Sequence, residues 1–126
     1  MDNFIITING RKKLAMARAG EITLPKVEGM AFGDGGVDAD GNVLAPIERQ
    51  GELTHELYRK VINGYSFPSD TTCRYECTLA ENELPGTEIS EIGLYDEERD
   101  IICIKTFKSK GKDDDLEMTF RIDDMF

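Results

Sequence analysis

The stretch "EISEIGLYDEERDIICIKTF", Glu88 to Phe107, decides the fold, because two apolar runs meet head to tail across a cluster of charges with no glycine between them. Both "EISEIGLYD" and "DIICIKTF" are rich in β-branched and aromatic residues. They read as two strands joined by Asp96 to Asp100. The continuous "IICI" implies cover on both faces of the second strand. So strong a strand signal with no catalytic residue beside it raises the question of what the chain does with it.

Toward the C-terminus, "KSKGKDDD" is a polar break, after which Leu116, Met118, Phe120 and Ile122 alternate with Glu117, Thr119 and Arg121, the period of a half-buried strand. Toward the N-terminus, "TTCRYECTLA" gives the clearest alternation. Cys73, Tyr75, Cys77 and Leu79 point one way, and Thr72, Arg74, Glu76 and Thr78 the other. "ELTHELYRKVI" sets Leu53, Leu57 and Tyr58 at helical spacing and reads as one or two turns feeding a strand near Tyr58 to Phe67. "VDADGNVLAPIERQGE" has no period and reads as a long surface loop. Before it, a strand-like stretch from Leu24 runs into Gly33-Asp34-Gly35-Gly36, where glycine permits positive φ and ends the strand. "INGRKKLAMARAG" predicts a helix over about Gly10 to Ala19, with Asn9 as N-cap and Gly20 just past its end. One helix and roughly five or six strands predict a single α+β domain over residues 1–126: a short N-terminal helix packed on an antiparallel β-sheet or small β-sandwich.

The net charge of −10 disfavours nucleic acid and anionic membranes, which leaves proteins as the expected partners. No stretch approaches the roughly 18 apolar residues of a membrane span. The start "MDNFIITING" lacks the basic flank and apolar core of a secretory signal, so folding in a cytoplasm is expected. Cys73, Cys77, Cys103 and the lone His55 would make four zinc ligands only by an unusual gathering; buried thiols are the expectation.

Sites of chemistry can be weighed in turn. If Gly41 is taken as the sixth position of a calcium loop, Asp38 and Asp40 fit, but Gly36 stands first and Ile47 twelfth, so "GDGGVDADGN" reads as a solvated turn before an irregular cation site. Its glycines lack the Lys-Ser or Lys-Thr of a phosphate cradle. There is no G-x-S-x-G elbow for a nucleophile to use with His55, and a hydrolase would rest on His55 and Asp38 alone. None of the 25 acidic residues stands out as half of a catalytic pair. A carbohydrate-binding module would want exposed aromatics, whereas Tyr58, Tyr65, Tyr75 and Tyr95 fall mostly in predicted strands and the chain has no Trp. One polar constellation is left: a structural pair of Arg59 with Glu56 or Glu91, because a charge set in an apolar stretch survives burial only when partnered.

The order "AFGDG" (Ala31 to Gly35), "ELTHELYRKVIN" (Glu52 to Asn63) and "EISEIGLYDEERDIICI" (Glu88 to Ile104) resembles the N-terminal domain of phage tail-collar fibre proteins. In that family an "IT" start and short helix lead to a GDG turn, a leucine-x-x-glutamate-x-x-arginine segment and an E-I-G-L-aromatic-D strand. The matching residues here are Ile6-Thr7, then Gly33, Asp34 and Gly35, then Leu53, Glu56 and Arg59, then Glu91, Ile92, Gly93, Leu94, Tyr95 and Asp96. The resemblance implies a structural protein of the virion tail, not an enzyme, without cofactor or metal. Its implied partners are other phage tail or baseplate proteins, and its implied assembly is a homotrimer. "EIGLYD" would then be scaffold. Two features depart from the family. Glu97-Glu98-Arg99 stands where members carry a glycine after the Asp, so a longer or glycine-free turn is expected. Members also continue into a fibre shaft and tip, whereas this sequence stops at Phe126 and corresponds to the attachment module alone, either as a whole product or as part of a longer chain.

Overall fold

A computed structural model describes residues 3–126. Strand β1 (Phe4–Ile6) leads into helix α1 (Ile8–Arg18). It is followed by β2 (Val27–Gly33), β3 (Glu56–Val61), β4 (Gly64–Ser69), β5 (Thr72–Leu79), β6 (Thr87–Asp96), β7 (Ile101–Lys112) and β8 (Met118–Met125). All pairings are antiparallel, in a five-stranded sheet of order β1-β7-β6-β2-β3 and a three-stranded sheet of order β4-β5-β8.

The α+β expectation is thereby corrected: the described residues are 50% strand and 9% helix, so the fold is mainly β. The helix is too small and too polar to form a layer, since Gly10 is its one buried residue. It starts earlier than expected, with Thr7 as N-cap in place of Asn9. The Thr7 hydroxyl accepts from the Gly10 N–H at 3.1 Å and donates to the Ile101 carbonyl at 2.7 Å, so the same side chain caps the helix and ties it to β7. Among the described residues no helix is long and apolar enough to cross a membrane.

The helical turns expected before Tyr58 are also absent. Glu56–Val61 is strand throughout, with Tyr58, Arg59 and Lys60 opposite Phe32, Ala31 and Met30 of β2. Pairing along a buried strand outweighs three apolar residues at helical spacing. Leu116 lies outside β8 and is exposed, while Phe120 and Ile122 are buried as the alternation predicts.

Strand β6 is the middle of the larger sheet, and Ile89 to Asp96 are all buried. Its two faces meet different neighbours. Ile92 and Leu94 join Met30, Phe32, Cys77, Leu79, Phe120 and Ile122 in a core between the sheets, where Phe32 and Phe120 meet edge to face at 5.2 Å. Tyr95 lies in a second cluster on the other face, with Ala31, Leu53, Ile101 and Ile104. Burial on both sides is why Ile92 to Tyr95 reads as an unbroken apolar run.

Candidate functional site

The second face of β6 collects most of the residues singled out by the motif. Glu91 is fully buried, and its carboxylate accepts three backbone N–H bonds of 2.8 Å, from Gly35, Thr54 and His55. A buried carboxylate needs such charge-assisted partners, and here the irregular segments on either side of the long loop supply them. Ser90 beside it accepts from the Gly36 N–H at 2.9 Å. Glu91 and Ser90 thus pin the loop onto the sheet.

The glycines are required for space. The strand β2 ends at Gly33 as expected, but Gly33, Gly35 and Gly36 do not use the positive φ that glycine permits; among the described residues Gly20, Gly41 and Gly86 do. A Cβ on Gly33 would stand 2.6 Å from the Glu91 carboxylate, and one on Gly35 would stand 2.7 Å from the Thr54 Cβ. Gly93 likewise admits Leu53, whose methyl would lie 3.2 Å from an added Cβ. Asp34 is exposed and its carboxylate meets the Nδ1 of exposed His55 at 2.5 Å, which raises the imidazole pKa.

Arg59 pairs with Glu56, at 2.7 and 3.2 Å, and not with Glu91; its Nη1 donates to the Arg99 carbonyl at 2.9 Å. The Arg59 and Arg99 guanidinium carbons each lie 4.9 Å from the centre of the Tyr95 ring. The Tyr95 hydroxyl occupies the space a side chain on Gly29 would need.

Asp96 explains the hairpin without glycine. Its buried Oδ1 accepts from the Glu98 and Asp100 N–H groups at 3.0 and 3.2 Å, and its Oδ2 meets the Lys13 ammonium at 2.6 Å. Arg99 takes the left-handed φ of 74° that a glycine would adopt more cheaply. Asp96, Glu98 and Asp100 gather closely enough to resemble a cation site, but Lys13 already reaches all three, at 2.6, 2.9 and 2.8 Å. Burial alone would lower the Lys13 pKa; hydrogen bonds to Asp100, Asp96 and Glu98 raise it well above the ordinary lysine range.

The remaining candidates separate. Asp38 Oδ1 accepts from the Asp40 and Asn42 N–H groups at 2.9 Å, closing the tip of the loop, and the Asn42 bond leads the interactions that lower its pKa. His55 therefore meets Asp34, not the Asp38 of the hydrolase reading. Cys77 and Cys103 are buried thiols with pKa values pushed up by desolvation, Cys77 to about 11; Cys73 is half-buried.

Sequence reading missed the surface of β4. Tyr65 and Phe67 are 64% and 67% exposed and meet edge to face at 5.8 Å, beside an apolar groove under the helix. The alternation Tyr65-Ser66-Phe67 was the available signal, hidden by Pro68 and by the short length of the strand.

No curated protein and no solved structure matches the chain. The family model for the phage tail-collar fibre protein, N-terminal, matches residues 1–121, and the chain belongs to that family.

Proposed function

We propose that this chain is an attachment part of a phage or prophage-derived tail, connecting fibre to baseplate through protein–protein contacts and without catalytic activity. Family membership supports a structural tail-fibre role, a place in the virion tail and association with other tail proteins. The observation that carries the finer reading is the use made of the motif polar groups. Glu91 and Asp96, the buried carboxylates of "EIGLYD", are occupied by backbone N–H groups and Lys13, which is how scaffold is built. In this reading the chain folds in the host cytoplasm and three copies assemble around a shared axis. Several copies on a symmetric tail turn modest individual affinities into a stable attachment.

The test is mass spectrometry of tailed particles purified from cells that carry this gene. The expected result is this chain at a fixed number of copies per particle. Its absence from otherwise complete particles would overturn the proposal. A second reading, a small carbohydrate- or receptor-binding module, is favoured by exposed Tyr65 and Phe67, since sugars stack on such rings. Hits for the isolated chain on a glycan array are its expected signature, and an array without them removes it.

A further inference from the structure

A groove of about 540 Å³ opens between α1 and the three-stranded sheet, lined by Leu14 and Leu24 on the helix side and by Tyr65, Phe67 and Phe126 on the sheet side. These aromatic groups are large and outward: Phe126 is 70% exposed, close to the values for Tyr65 and Phe67. They are also organised, since Tyr65 packs on both Phe67 and the half-buried Tyr75, with ring centres 5.8 and 6.2 Å apart. A contiguous apolar patch of this kind marks a surface that another molecule covers.

Charge narrows the occupant. Four charged side chains line the groove, Lys13, Lys26, Asp96 and Asp124. Lys13 and Asp96 are engaged with each other, and Lys26 lies exposed. Asp124 is half-buried beside Cys103 and Tyr75, and burial pushes its carboxyl above the usual range with no cation acting against it. Its neighbour Asp123 has a partner in Arg74 at 2.8 Å. Asp124 is the carboxylate of the groove with no ion pair among the described residues. A desolvated carboxylate amid apolar walls is complementary to an apolar segment that brings its own cation. A second copy fits less well because each chain carries −10. A sugar would find one carboxylate where it needs a set of polar groups.

We propose that this groove docks an apolar peptide segment of a partner protein that carries one arginine or lysine, its apolar side chains against Tyr65, Phe67 and Phe126 and its cation on Asp124. The proposal rests on the attachment reading only for the partner being a tail component.

The test is a selection of random dodecapeptides, displayed on yeast, against the full chain, followed by NMR titration of the chain with the enriched peptides. The expected peptides combine apolar residues with an arginine or lysine and shift the signals of Tyr65, Phe67 and Asp124. Asp124→Asn weakens them about tenfold, the scale of a charge-assisted contact. The double substitution Tyr65→Ser with Phe67→Ser, at two largely exposed side chains, removes binding while leaving the rest of the amide spectrum in place. No enrichment, enrichment of acidic or uncharged peptides, or equal binding to both variants would overturn the proposal. So would self-association of the chain that shifts the same signals. None of those results bears on whether the chain travels with tail particles.

Discussion

Strands β6 and β4 share a chain and a β conformation but differ in what surrounds them. In β6, eight consecutive residues from Ile89 to Asp96 are buried, and even the two carboxylates among them, Glu91 and Asp96, have assigned partners. In β4, five of six residues are exposed, and its two aromatic rings lie outward at the edge of the smaller sheet. Within the chain, then, β6 serves the fold, while β4 holds apolar area that only another molecule can bury. The most specific sequence signal marks the first kind of region, and the interaction surface lies elsewhere.

Substitutions test that contrast. The largest effect is expected at Glu91→Ala, which leaves the N–H groups of Gly35, Thr54 and His55 without their acceptor. At about 1–3 kcal/mol for each such donor, and with water recovering part of the loss, chemical denaturation should report about 4 kcal/mol of destabilisation. Leu94→Ala, which opens a cavity between the sheets, should cost about 3 kcal/mol in the same measurement. A loss below about 1 kcal/mol at either position would show that β6 is less critical than its burial implies.

A pH effect tests the join between the sheets. Glu83, in the β5–β6 connection, accepts from Lys60 of β3 at 2.5 Å, from the Ala80 N–H at 2.7 Å and from the Tyr58 hydroxyl. Burial would raise its pKa; the bonds from Lys60, Tyr58 and Ala80 outweigh this and hold it at about 2 against an ordinary 4.5. A depressed carboxylate stabilises the fold above its unfolded pKa, and that contribution is lost as pH falls through its folded value. The melting temperature of the native chain should therefore fall more steeply between pH 4.5 and 2 than that of Glu83→Gln. Parallel curves would contradict the tether.

Arg59→Ala should cost only about 1 kcal/mol, since it loses a half-exposed ion pair and one of two guanidinium contacts to Tyr95. Phe67→Ala is expected to change stability by less than about 0.5 kcal/mol. A larger loss there would make β4 part of the fold and erase the contrast.

The sequence revealed the strands that alternate or run apolar, β5 through β8, because their period reflects burial directly. It showed β3 and β4 only as one strand near Tyr58 to Phe67, with helical turns in place of the start of β3, and it did not reveal the division into two sheets, which depends on pairings distant in sequence such as β5 with β8. At the site, the resemblance located Glu91, Asp96 and the glycines, and burial made Glu91 a candidate for pairing. Its actual partners are backbone N–H groups, which leave no side-chain signature, so Arg59 drew the prediction instead. Lys13 escaped notice because the three carboxylates it meets lie 83 or more positions away.

The most direct measurement is hydrogen exchange on this chain free in solution and within purified tail particles. Added protection is expected over Gly64–Ser69 and around Asp124 in the particle, with β6 equally protected in both states. Unchanged exchange at β4 in an assembled particle, with new protection confined to other surfaces, would contradict it.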